Sequence, residues 1–140
     1  MGRPGILLVE DDPDDLEVVR AALGRYAAEA LVNVARDGDT ALRLLKDCPA
    51  PNLVLLDLSL PKVGGLDVLR AAKASARTKR VPVVILSTSR ADEDVERGYD
   101  FGASSYLVKP SSYGEYDQMI EEVARYWLGL NHLARPAVAE

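Results

Sequence analysis

Four short apolar runs each end on a residue that could take part in catalysis. Ile6-Leu7-Leu8-Val9 leads into Glu10 and Asp11, and Leu53-Val54-Leu55-Leu56 into Asp57. The run from Val81 to Leu86 leads into Ser87, and Tyr106-Leu107-Val108 into Lys109. Carboxylates gathered in one place repel each other and lose hydration unless a cation joins them. Oxygen donors of this kind suit a hard ion that keeps some of its water, and Mg2+ is the natural choice. Lysine adds a mobile point charge able to meet a phosphoryl oxygen. Phosphoryl transfer to a carboxylate needs all of these together. One aspartate attacks in line, the metal ion neutralises the phosphoryl oxygens, and fixed donors complete the cage.

These residues converge only if the apolar runs are neighbouring strands whose carboxyl ends lie on one edge. The intervening segments read as helices. Asp12-Pro13 is a cap followed by proline, and Leu16, Val19, Leu23 and Tyr26 then form an apolar stripe. Leu31-Val32-Asn33-Val34 predicts a further strand, Asp37-Gly38 a turn, and Ala41, Leu42 and Leu45 a second helix. A loop with Pro61 and Gly64-Gly65 precedes a helix carrying Leu66, Leu69 and Ala72. A short helix from Asp92 to about Tyr99 is stopped by Gly102. Tyr116, Met119, Ile120, Val123, Trp127 and Leu130 recur at helical spacing, which predicts a last helix packed on the sheet. Five alternations of strand and helix predict a doubly wound α/β domain, with a five-stranded parallel sheet and five helices. In such sheets the ligand site lies at the carboxyl ends of the strands, near the switch point.

Composition removes several rival classes. The 140-residue chain has 17 basic and 22 acidic residues, a net charge of −5, so nothing favours a nucleic-acid partner. No apolar run approaches the roughly 20 residues of a membrane span, and no signal peptide precedes the first strand. Cys48 is the single cysteine, which excludes an intrachain disulfide, suits the cytoplasm, and reads as a small apolar residue. Neither a G-x-x-x-x-G-K-[ST] loop nor a G-x-G-x-x-G fingerprint is present. His132, the only histidine, reads as an exposed tail residue and supports neither a catalytic triad nor a zinc site. Asp12 is open to two readings, a helix cap or a metal contact. Asp14 and Asp15 read as first-turn helix charges.

Val9-Glu10-Asp11-Asp12, Asp57-Leu58-Ser59-Leu60-Pro61 with Gly65, Ser87-Thr88, and Gly102-Ala103 through Tyr106 to Lys109-Pro110 resemble the signature of bacterial response-regulator receiver domains. The resemblance implies a CheY-like, flavodoxin-like receiver over residues 1–130, with 131–140 as a tail and no output domain. It implies Asp57 as phosphoacceptor, and Mg2+ held by Glu10, Asp11, Asp57 and the Ser59 carbonyl. Lys109 would pair with the acyl phosphate and precede a cis Pro110. Ser87 would bond a phosphoryl oxygen, with Tyr106 turning inward as Ser87 moves. Such a protein acts on itself and turns over no external substrate. Glu10 departs from the commoner aspartate, and its longer arm shifts the metal contact toward a water bridge. Ser111-Ser112 stands where many relatives have an aromatic residue. Ser59 and Ser89 line the route of the hydrolytic water.

Leu86-Ser87-Thr88-Ser89, Gly98-Tyr99-Asp100 and Tyr126-Trp127-Leu128 resemble the stand-alone receivers that serve phytochrome-type histidine kinases. That implies a light-sensing kinase partner, and a homodimer through the fourth helix, fifth strand and fifth helix. Tyr99, Tyr106, Tyr116 and Trp127 would contribute to that surface. Other readings have the same fold. A phosphate sink uses the same residues, whereas a phosphorylation-independent binding module would not need the acids and lysine kept here. A dehalogenase-like phosphatase would need a second aspartate where Ser59 stands.

Overall fold

The computed structural model describes residues 3–132 and residue 134. Strands β1 (Gly5–Val9), β2 (Leu31–Ala35), β3 (Leu53–Asp57), β4 (Val83–Ser87) and β5 (Ser105–Val108) form one parallel sheet in the order β2-β1-β3-β4-β5. Helices α1 (Pro13–Tyr26), α2 (Gly38–Asp47), α3 (Gly65–Ala74), α4 (Asp92–Asp100) and α5 (Tyr113–Ala124) make the crossovers and the final cover. The chain reverses its direction of winding between β1 and β3, so a crevice opens at their carboxyl ends.

Alternation along the central strands sorts side chains to two faces. Ile6, Leu8, Leu53, Leu55, Val84 and Leu86 pack under α1 and α5 in one core cluster, and Leu7, Val9, Val54, Leu56, Val83 and Ile85 join α2 and α3 in the other. Both faces of β3 and β4 are buried, which explains why these strands read as unbroken apolar runs. The edge strand β2 alternates between exposed and half-buried positions until Ala35. Among the described residues no helix is long and apolar enough to cross a membrane.

Side-chain caps set where the helices start. The Asp12 carboxylate accepts from the backbone N–H of Asp14 and Asp15, Asp37 caps α2 through Thr40, and Ser112 caps α5 through Glu115. The cap reading of Asp12 is therefore the one this geometry carries. At the far end of α4, Gly102 takes φ +107, and Ala103 N–H reaches back to the Gly98 carbonyl, a left-handed close that glycine makes cheaply. Cys48 ends α2, and the Arg77 guanidinium fixes that end by donating to the carbonyls of Leu45, Lys46 and Cys48.

Several sequence expectations shift at the edges. β4 begins at Val83 rather than Val81, because Pro82 has no N–H for the ladder. Tyr26 leaves the α1 stripe: it is 38% exposed and its hydroxyl donates to Asp117 at 3.1 Å. The last helix is not uniform, since α5 passes at Ala124 into a π-helical segment, Arg125–Leu130. The wider turn changes the angular spacing, so the stripe extrapolated to Leu130 fails and that side chain is 74% exposed. Trp127 still packs against the core. The expected tail, 131–140, falls largely outside the described residues.

Two glycines predict opposite stability changes. A Cβ on Gly65 would lie 2.5 Å from the Asp57 carbonyl oxygen and 2.6 Å from Leu58 Cα, whereas one on Gly24 meets nothing within 4 Å. Urea denaturation should show Gly65→Ala less stable by about 1–3 kcal/mol. Gly24→Ala, inside α1, should gain about 0.5–1 kcal/mol.

Candidate functional site

Four of the five strands end by delivering a polar side chain to one corner. Glu10 and Asp11 follow β1, Asp57 closes β3, Ser87 closes β4, and Lys109 follows β5. Parallel pairing sets the depths: Val9 is level with Leu56 and Asp57 with Leu86. The acids therefore meet across the crevice. Glu10, Asp11 and Asp57 each present an oxygen within 4.8 Å of the others, with Glu10 and Asp57 buried and Asp11 half-buried.

Lys109 links the corner. Its ammonium, on a side chain 7% exposed, donates to Glu10 Oε1 at 2.9 Å and Asp15 Oδ2 at 2.8 Å, and lies 3.6 Å from Asp57 Oδ1. Asp15 was expected to be no more than a helix charge. Its place in the first turn of α1, just after the acid-bearing end of β1, was the only sequence signal for this role. Glu10 Oε2 also accepts from Asp12 N–H at 3.2 Å, and Asp57 Oδ1 from Ser59 N–H at 3.4 Å. No cis peptide bond occurs among the described residues, so the Lys109–Pro110 bond is trans, contrary to the sequence expectation. Trans is the lower-energy isomer of an X–Pro bond, and Lys109 reaches the acids from it.

Burial and charge shift the titrations in opposite senses. Burial pushes Glu10 up to about 7; the Lys109 hydrogen bond opposes the shift and the Asp57 charge adds to it. Burial also raises Asp57, with the Lys109 charge opposing. Burial alone would lower Lys109, but hydrogen bonds to Asp15 and Glu10 and the charge of Asp57 outweigh it, so the ammonium is held above the ordinary lysine value. Glu10, Asp15 and Asp57 thus share one lysine, and with Asp11 beside Glu10 and Asp57 the negative charge is in excess. The Glu10, Asp11 and Asp57 oxygens suit a small hard cation, which would lower both raised carboxyls.

Comparison with known proteins identifies the family. Residues 6–121 match the model of the response regulator receiver domain. The chain belongs to the response regulator receiver family. It is 40% identical over 137 residues to the probable methanogenesis regulatory protein FilR2 of Methanothrix harundinacea, covering 94% of this chain and 88% of that one. It is 36% identical over 129 residues to response regulator Rcp1 of Synechocystis, covering 88% of each. The Mn(2+)-bound form of Rcp1 superposes with TM-score 0.89 over 94% of this chain and 99% of that one, at 34% identity. The phosphorylated cyanobacterial phytochrome response regulator RcpA also gives TM-score 0.89, at 33% identity over 96% of this chain and 100% of that one.

In this receiver a hydrogen-bonded chain leads away from the acids. Ser89 N–H donates to Ser87 Oγ at 3.1 Å, and the Ser89 hydroxyl donates to Asp94 on α4. The Tyr106 hydroxyl donates to the Ser89 carbonyl at 2.9 Å, and the Tyr99 hydroxyl accepts from Tyr106 N–H at 3.2 Å. Gly98 makes room for this arrangement, since a Cβ there would lie 3.2 Å from the Tyr106 ring and 2.9 Å from Ile85. Ser89 and Asp94 as links were not expected from sequence; hydroxyl and acid residues near a helix start read first as caps.

The titration of Glu10 sets a pH dependence. Without a metal ion the folded receiver keeps a proton that the unfolded chain releases near 4.5. The stabilisation is complete below that value and is lost as pH rises through about 7. Urea midpoints without Mg2+ should fall across this window, and the Glu10→Gln variant should respond less. Mg2+ titrations should show tighter binding at the upper end, where no proton has to leave.

Proposed function

We propose that this receiver is a phosphorylation switch in which a partner histidine kinase's phosphoryl group moves to Asp57, with Mg2+ held by Glu10, Asp11, Asp57 and the Ser59 carbonyl. The observation that carries this reading is the corner itself: three carboxylates within 4.8 Å of each other beside an ammonium that touches two acids and approaches Asp57. Phosphorylation adds about −1.5 to −2 charge and new acceptor oxygens. In this reading Lys109 and the Ser87 hydroxyl donate to it, and Tyr106 and α4 carry the response outward. The bound metal supplies charge neutralisation at the phosphoryl oxygens. The activity proposed is self-modification, with no external substrate turned over, and the proposed compartment is the cytoplasm.

The partner we propose is a phytochrome-type kinase, a reading supported by the Rcp1 and RcpA relatives. A second copy is the proposed occupant of the α4-β5-α5 face. Tyr99 is exposed there, and a groove of about 700 Å³ between β5 and α5 is lined by Leu107, Pro110, Met119, Tyr126 and Trp127. Tyr116, expected on that face, is buried instead, because its position on α5 points into the α1 side of the core.

Intact-mass spectrometry after acetyl phosphate treatment tests the chemistry. One Mg2+-dependent phosphoryl adduct is expected on the wild type and none on Asp57→Asn; an adduct on that variant would move the acceptor elsewhere. Lys109→Ala should keep most Mg2+ binding but lose any dimerisation induced by phosphorylation, read by analytical ultracentrifugation. An unchanged dimer response would remove Lys109 from the switch.

A further inference from the structure

The phosphoacceptor reading leaves unused a buried hydroxyl on α5. Tyr116 is 1% exposed, and among the described residues its hydroxyl is the buried side-chain polar atom with no hydrogen-bond partner. The ring belongs to the core cluster between the sheet and the α1–α5 pair, which also holds Leu8, Leu16, Val19, Leu86 and Ile120. Leu16 directly follows Asp15, so the tyrosine shares its packing with the segment that carries a Lys109 partner. Its hydroxyl also lies in the field of the acid corner. Burial raises its pKa, the Lys109 ammonium opposes the rise, and Glu10, Asp15 and Asp57 add to it. Phenylalanine would fill the same apolar space without stranding a donor, and buried donors normally find partners. A buried hydroxyl left without a partner points to one gained in another state.

The mobile group is Lys109. Two of its hydrogen bonds go to Glu10 and Asp15, and Asp57 lies beyond hydrogen-bond distance at 3.6 Å. Turning toward a phosphoryl group on Asp57 draws the ammonium from these carboxylates. Glu10 belongs to the acid trio that suits a cation and so gains a replacement charge; Asp15 does not belong to it. The Asp15 side chain is 18% exposed, so water replaces the lost pairing only in part.

We propose that the Tyr116 hydroxyl is a positioning group for the Lys109 movement: it donates to the Asp15 carboxylate when the ammonium turns to the phosphoryl group. It thereby compensates the ion pair that the switch breaks. A charge-assisted hydrogen bond of this kind is among the stronger ones available in a protein interior. The inference rests on the phosphoacceptor reading of Asp57.

The test uses the full chain with Mg2+ and beryllofluoride, a phosphoryl mimic, read by thermal melts and by titration. Tyr116→Phe should leave resting stability unchanged or raised, because it removes a stranded donor. Mg2+ affinity should stay the same, while beryllofluoride affinity falls about tenfold. Asp15→Asn should bind beryllofluoride at least as tightly as the wild type, because it removes the resting ion pair along with its compensation, and adding Tyr116→Phe to it should cost little, since neighbours acting through one bond are not additive. Equal beryllofluoride affinity in wild type and Tyr116→Phe would overturn the inference. So would full additivity with Asp15→Asn, or a loss of resting stability, which would mean the hydroxyl is already partnered at rest. If the wild type binds no beryllofluoride, or Asp57→Asn binds it equally well, the phosphoacceptor reading fails first and takes the inference with it.

Discussion

Excess negative charge at one corner of the sheet is the constraint around which the molecule is arranged. At 4 Å, two like charges at a partly screened site repel by about 4 kcal/mol, and several such pairs meet around Lys109. One ammonium cannot balance Glu10, Asp15 and Asp57 together with Asp11. Part of the imbalance falls on Glu10, whose carboxyl burial raises to about 7. The corner is therefore short of positive charge, which is the condition under which a divalent ion would bind most favourably. Parallel strand order makes this unavoidable, because strands running the same way bring their terminal side chains to one rim.

The fold and the acid trio were legible in the sequence because both depend on short-range rules. Doubly buried strands demand unbroken apolar runs, and Ile6–Val9 and Leu53–Leu56 show them; the residue after such a run must sit at the rim. Less was legible where a property depends on rotation or on distant partners. Leu130 matched a helical period, but the π-helical segment after Ala124 changed the phase before it was reached. Asp15 looked like many first-turn acids, and its pairing with Lys109 spans 94 residues of sequence. Tyr116 fits both the stripe packed on the sheet and the expected dimer face, and only the packing of α5 against α1 decides for the core.

The helices are not held equally, and the inequality follows the chemistry. α1 and α3 each bury several side chains, whereas α4 buries only Gly98. Its remaining hold comes from polar links: Asp94 to Ser89, Tyr99 to the backbone of β5, and the Tyr106 ring lying against Gly98. An element with little buried apolar area opens at low free-energy cost. α4 is thus the element most easily shifted by a small movement of the β4–α4 loop, and that loop begins directly after Ser87.

The sheet also separates the chemistry from its opposite rim. Cys48 ends α2 beside the starts of β1 and β3, where Gly5 and Asn52 line the same hollow. From Asn52 to Asp57 the chain advances the length of a strand, roughly 15 Å. The single thiol of the protein, half-buried at that rim, therefore offers an attachment point for a dye, spin label or surface tether remote from the acids. A molecule anchored there would present its reactive rim outward, in one orientation, without any engineered cysteine.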